Sequence, residues 1–282
     1  MCLYLFSIVY NIVFSFVIKI IDIFNYDKGN IIKNIYSQNK NNNVLNILSY
    51  NIDNLFVHYD FLKNKRLLND LKNIFFRKDI DIICLQEVWN TNFKKKLISI
   101  AQQNNWNYAI PSNKKKYFIG ENSGLIIFSK YTISEQKIHI YKNSKGACSL
   151  SNKSAQYVKI QLNTNKEINV INTHLQSSHL NHYQDFRKTT IKQLEELINN
   201  SPYENSLVVG DINLDYDFLK KNLNNKFNFL NNYSKIITFP LTNDHLDHFL
   251  YFGDEYNYDI NCSTFNIHNS DHSPVLASII FN

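Results

Sequence analysis

Ile168-Asn169-Val170-Ile171-Asn172-Thr173-His174-Leu175-Gln176 is an apolar run that ends in polar groups. Ile168–Thr173 reads as a strand, and a strand that merely crosses a core has no use for a histidine at its tip. Downstream, Tyr183, Phe186, Thr190, Leu194 and Leu197 recur at helical spacing. Leu207–Gly210 is again a short apolar run, closed by Asp211-Ile212-Asn213. The unit is strand, helix, strand, with chemistry-bearing side chains where each strand stops.

The same punctuation repeats on both sides. Val44–Tyr50, Asp81–Gln86, Ser123–Phe128, Ile133–Tyr141, Gln156–Leu162, Leu246–Phe252 and Pro274–Phe281 also read as strands. Phe61, Leu68, Leu71 and Phe75 mark a second helix. Short strands interspersed with helices over Val44–Asn282 predict one α/β domain, a two-sheet, four-layer α/β sandwich.

Two stretches precede it. Cys2–Ile18 carries no charge, and only Ser7, Asn11 and Ser15 interrupt its apolar run before Lys19 and Asp22. A membrane helix wants about 20 apolar residues, so residues 1–24 are expected to be a short membrane anchor, with Lys19 reaching back to the interface. The basic n-region and small-residue cleavage site of a secretion signal are absent. Lys19, Lys28, Lys33 and Lys40 outnumber Asp22 and Asp27, which by the positive-inside rule keeps the catalytic body cytoplasmic. Residues 25–43 are polar, end in Gln38-Asn39-Lys40-Asn41-Asn42-Asn43, and read as a linker.

Composition narrows the function classes. Of 282 residues, 44% are apolar and 14% aromatic, which excludes a wholly disordered chain. Four scattered cysteines give neither a disulfide framework nor a zinc-binding pair. A net charge of +6 suits a phosphate-bearing substrate but falls short of a dedicated nucleic-acid binder.

The strand tips carry the chemistry: Asn51, Glu87, His174, Asp211 with Asn213, Asp247, and Asp271-His272. Each alone has a structural explanation, as an Asx-turn, a helix cap or a half-buried histidine. Six such groups, each just after an apolar run, describe a pocket at a sheet edge.

That ordered set resembles the endonuclease/exonuclease/phosphatase superfamily, with its deoxyribonuclease-I-like fold, from Val44 to about Ser278. Within it the likeness is to neutral sphingomyelinases. Lys145-Gly146-Ala147-Cys148 and Leu150-Ser151-Asn152-Lys153 resemble their Gly/Cys loop and Ser-Asn-Lys-Gly turn, and His174-Leu175-Gln176 and Gln193-Leu194 resemble their following motifs. Ser154 stands where glycine is usual and Thr190 where arginine is usual, with Arg187 a turn earlier. Between Phe252 and Asp271 there is no room for a long aromatic hairpin.

The resemblance implies a metal-dependent phosphodiesterase. Glu87 is expected to hold Mg²⁺, with Mn²⁺ able to replace it, and Asn51 to support the metal or phosphate. His272 is the expected general base, oriented by Asp247, with Asp271 adding charge beside it. Asp211 would orient the attacking water, and Asn213 and His174 would donate to the non-bridging oxygens. His245-x-x-His248 and His268-x-x-x-His272 invite a zinc reading, set aside because they lie in or beside strands among carboxylates and amides. The expected partner is a phospholipid membrane of the sphingomyelin type, acted on by a monomer. DNA or RNA is the alternative substrate, permitted by the net charge and Lys114-Lys115-Lys116. A non-catalytic module is the third reading, opposed by a constellation complete at every position.

Overall fold

Side chains alternate across a strand, and in the central strands both sets are apolar. Ile47, Ile82, Cys84, Val170, Leu207 and Val209 join one buried cluster. Their neighbours Leu48, Ile83 and Leu85 join a second, and Ile171 and Val208 a third. Strands buried on both faces need a layer on each side, so the molecule has four.

The computed structural model describes residues 31–32, 43–54, 61–111, 122–177, 183–223, 227, 236–253, 258–265, 267 and 269–281. One sheet comprises β1 (Ile31–Ile32), β2 (Val44–Asn54), β3 (Ile82–Val88), β4 (Asn107–Ala109), β5 (Ile126–Ser129), β11 (Tyr258–Thr264) and β12 (Val275–Phe281). Its order is β1-β4-β5-β3-β2-β12-β11. The other comprises β6 (Thr132–Ile140), β7 (Ser154–Asn163), β8 (Lys166–His174), β9 (Ser206–Asp211) and β10 (Asp247–Phe252), in the order β10-β9-β8-β7-β6. The first cluster lies between the sheets. Helices α1 (Phe61–Phe76) and α2 (Thr91–Gln103) cover the outer face of the first sheet through Leu67, Leu71, Phe93 and Leu97. Helices α3 (Tyr183–Asn199) and α4 (Tyr216–Leu223) cover the second through Leu194, Leu197, Leu219 and Leu223.

Two pairs are parallel, β2 with β3 and β8 with β9, and each is joined by a crossover containing one helix, α1 or α3. The remaining pairs are antiparallel. The carboxyl ends of β2, β3, β8 and β9 meet at one pole of the sandwich, where Asn51 of β2 bonds to Asp211 of β9.

The expected four-layer architecture is the observed one, and the nine expected strands are present with ends shifted by a few residues. Three strands were not expected. Ile31–Ile32, inside the stretch read as linker, pairs with Ala109 and Tyr108. Asn107–Ala109 is too short to show a period, and Tyr258–Thr264 is an edge strand on β12. Helix α2 begins at a cap in which Asn90 Oδ1 accepts the N–H of Phe93 at 2.9 Å. Residues 1–24, His58, Lys114-Lys115-Lys116, His179, His182 and His268 lie outside the described residues. Among the described residues, no helix is long and apolar enough to cross a membrane.

Candidate active site

Chain direction gathers the expected residues. Asn51 and Glu87 lie near the carboxyl ends of β2 and β3, and His174 and Asp211 are the last residues of β8 and β9. Strand β10 runs opposite to β9, so its first residue, Asp247, sits directly across from Asp211. His272 precedes β12, which runs opposite to β2. Ligand pockets of α/β sheets form beyond the carboxyl ends of strands, and this one draws on both sheets.

Hydrogen bonds knit the cluster. Asn51 Nδ2 donates to Asp211 Oδ2 at 2.9 Å and to Glu87 Oε1 at 3.2 Å. Its Oδ1 accepts the N–H of Asp53 at 3.1 Å. Asn51 thus aligns the two carboxylates, with its own oxygen accepting from Asp53. His272 Nδ1 meets Asp247 Oδ2 at 2.7 Å, while Nε2 faces Asp211 Oδ2 at 3.6 Å. Ser270 Oγ accepts the N–H of His272 and donates to the carbonyl of Asn51, tying the last loop to β2. Asn213 donates its N–H to Asp211 Oδ1 at 3.0 Å and its Nδ2 to the Leu175 carbonyl at 3.3 Å. Asp271 is half-buried, with Ser270 Oγ 3.3 Å from its Oδ1, at the edge of the cluster. Glu87 and Asn213 both hold positive φ, +60° and +57°. Non-glycine residues take that conformation rarely, and backbone strain of this kind clusters at functional sites.

Burial dominates the electrostatics. It pushes the Glu87 carboxyl up to about 7, with Lys153 and His272 opposing it and Asp53 adding to it. It likewise pushes Asp211 up to about 6, against the pull of His272 and with the push of Asp247. Burial works against a charged His272, but Asp247 and Asp211 outweigh it and raise the imidazole to about 10.

Three contributors escaped the sequence reading. Lys153 is buried, and its Nζ lies 2.5 Å from His174 Nε2. The same His174 Nε2 lies 3.5 Å from Asp211 Oδ2 and 3.6 Å from Glu87 Oε1. The Ser151-Asn152-Lys153 turn was the available signal, but a lysine in a loop reads by default as solvated. Trp89 stacks on His174, ring centroids 6.2 Å apart, and a side chain at Gly124 would meet the indole Nε1 at 2.3 Å. Only glycine leaves space for that ring. Phe239 packs on His272 at 4.9 Å between ring centroids.

His245 and His248 do not join this cluster. Their rings stack at 4.5 Å, and each Nε2 lies against a backbone carbonyl, of Asp247 and Leu214 respectively.

The site fits a hard divalent cation. Its charged groups are buried carboxylates, and burial makes carboxylate charge costly until a cation compensates it. Glu87, its side chain 13% exposed and joined to Asp211 through Asn51, would offer such a cation oxygen donors. Asp211, Asp247 and His272 also bring potential ligand atoms within 4.8 Å of one another. There, however, the hydrogen bond between His272 Nδ1 and Asp247 already uses one donor pair.

A two-sheet sandwich with carboxylates, amides and a carboxylate-paired histidine at one pole defines a class. The chain belongs to the endonuclease/exonuclease/phosphatase family, whose model matches residues 48–272. Among curated proteins it is similar to "Phospholipase C" from Staphylococcus aureus, 27% identical over 172 residues, covering 52% of this chain and 51% of the relative. The match thus spans about half the length of the curated relatives. Among solved structures, sphingomyelinase C from Streptomyces griseocarneus superposes with a TM-score of 0.67 at 17% identity, over 83% of this chain and 99% of that one. A double mutant of beta toxin from Staphylococcus aureus with bound magnesium ions gives 0.64 at 20% identity, over 83% and 98%. These likenesses show a deoxyribonuclease-I-like fold.

Proposed function

We propose that this protein is a magnesium-dependent phosphodiesterase acting on a phospholipid of the sphingomyelin type. The carrying observation is His272, bound through Nδ1 to Asp247 at 2.7 Å and aimed through Nε2 at Asp211. With Nδ1 held against the Asp247 carboxylate, Nε2 is the ring atom left to take a proton from the attacking water. Asp211 orients a water, and His272 Nε2 takes its proton as the oxygen attacks phosphorus. The bond from phosphorus to the leaving alcohol breaks opposite, the alkoxide takes up a proton from solvent, and His272 returns its proton to solvent. Lys153, against His174, supplies positive charge for the non-bridging oxygens, and Asn213 holds Asp211 in place. A magnesium ion at Glu87 would polarise the phosphoryl group and offset the carboxylate charge that holds His272 protonated.

The phospholipase and sphingomyelinase names of the relatives support the lipid substrate, and the uncharged run Cys2–Ile18 supports a membrane location for the chain. The test is hydrolysis by the full chain, with Mg²⁺ and with chelator, of sphingomyelin vesicles, other phospholipid vesicles, plasmid DNA and RNA. Phosphocholine release that needs the cation is expected. DNA cleavage without it would overturn the lipid reading, and full activity in chelator the metal reading.

A further inference from the structure

The large apolar side chains left exposed are unevenly distributed between the two poles. Among the described residues they are Val44, Leu62, Phe76, Ile140, Leu150, Ile237 and Leu241. Val44 opens β2 and Phe76 closes α1, so both lie at the amino ends of the parallel strands, away from the site. The other five lie at the carboxyl ends. Leu62 opens α1 just after β2. Ile140 ends β6, which runs parallel to β8, and its partner Ser154 immediately precedes the Ala155 that pairs with Thr173, which puts it level with His174. Leu150 lies on the one-turn helix Gly146–Leu150 that leads to Lys153. Ile237 and Leu241 flank the tight loop entering β10.

That last loop is built rather than loose. Phe239 and Asp244 form an isolated antiparallel bridge, and Asn243 turns the chain at φ +58°. Thr238 Oγ1 accepts the N–H groups of Leu246 and Asp247, and the Thr238 carbonyl accepts that of Ser273. With Phe239 on His272, the loop is fixed to the catalytic histidine and its aspartate, yet Leu241 at its tip is 76% exposed. Leu241 thus stands in water on a loop pinned to His272 and Asp247, with Ile237 and Leu150 also exposed at this pole.

We infer that the Ile237–Leu241 loop, with Leu150 across the site mouth, is the surface by which the catalytic domain seats on a phospholipid layer. The inference rests on the lipid reading above and adds the docking surface. A phospholipid presents its phosphodiester and its acyl chains from one direction, which matches oxygen-rich chemistry ringed by aliphatic side chains.

The test uses the full chain carrying Leu241→Trp and, separately, Phe76→Trp at the opposite pole, mixed with sphingomyelin–phosphatidylcholine vesicles containing brominated acyl chains. The native Trp89 and Trp106 are both buried, so the new indole dominates the quenchable signal. Quenching of Leu241→Trp without quenching of Phe76→Trp is expected. In parallel, Leu241→Asp should lower the ratio of vesicle to soluble-phosphodiester hydrolysis by about 10-fold, since a charge replaces a side chain entering the acyl layer. Hydrolysis of vesicle sphingomyelin by the native chain with no quenching at 241, or with an unchanged ratio, overturns the docking surface alone. Equal quenching at both positions also overturns it. A native chain that hydrolyses no phospholipid overturns the lipid reading, and quenching at 241 would then still support the surface.

Discussion

His272 and His248 are both buried, and each has one ring nitrogen 2.7 Å from an oxygen. For His272 that oxygen belongs to the Asp247 carboxylate; for His248 it is the backbone carbonyl of Leu214. Burial opposes the imidazolium in both. At His248 burial prevails, the stacked His245 adds to it, and the ring is held well below the usual histidine range. At His272 the carboxylates prevail, to about 10. The contrast teaches that hydrogen-bond length does not set the charge of a buried histidine. The charge of the acceptor, and what the second nitrogen faces, decide the role.

Removing each ring should break the comparison most sharply. His272→Ala should lower turnover by at least ~10²-fold with the fold intact, the scale of a general acid–base group. His248→Ala should leave turnover per folded molecule close to the parent value and cost about 2–3 kcal/mol of stability, through a cavity and an unmatched carbonyl. Denaturation midpoints measured beside turnover numbers check both, and a His248→Ala protein that folds fully but does not turn over would merge the two roles.

The carboxylate side of the contrast is sharpened at Glu87. Glu87→Gln keeps the shape and removes the charge, so the Mg²⁺ concentration giving half-maximal activity should rise by at least ~10-fold. Titration of activity with Mg²⁺ and Mn²⁺ after chelation reads this directly, and an unshifted midpoint would move the cation away from Glu87.

The pH dependence of stability of the metal-free protein tests the contrast without any reaction. His272, raised from 6.5 to about 10, stabilises the fold fully below pH 6.5 and loses that contribution as pH climbs towards 10. His248, lowered from 6.5, contributes above pH 6.5 and loses its contribution as pH falls. The two variants His272→Gln and His248→Gln should therefore flatten opposite limbs of the stability profile, each by up to about 1.4 kcal/mol per pH unit. Differences between parent and variant isolate each histidine from Glu87 and Asp211, which titrate in part of the same range. A shared limb for both variants would contradict the assignment.

Local pattern made much of the molecule legible. Apolar runs of strand length and two helical repeats were enough for the sandwich, because core burial imposes period on sequence. The strand-tip residues from Asn51 to His272 were legible because polar groups that a core strand does not need interrupt that period. Strand β11 and the residues Ile31–Ile32 were less visible, since edge strands are paired on one side only and bear less of the pattern. Helix α2 carries a local signal in its cap residue, Asn90, but an asparagine before a threonine marks a turn as readily as a helix.

What tertiary structure alone decided is the partnership of these groups. Asn51 and Asp211 are 160 residues apart and share a hydrogen bond. His272 and Asp247 are 25 apart and share another. Whether a histidine meets a carboxylate or a carbonyl depends on strand direction and register, and those are fixed by packing two sheets together. The sequence by itself determined the residue types at the strand tips. Only the fold determined which pole they share, how deeply they are buried, and so which of the buried histidines is held charged.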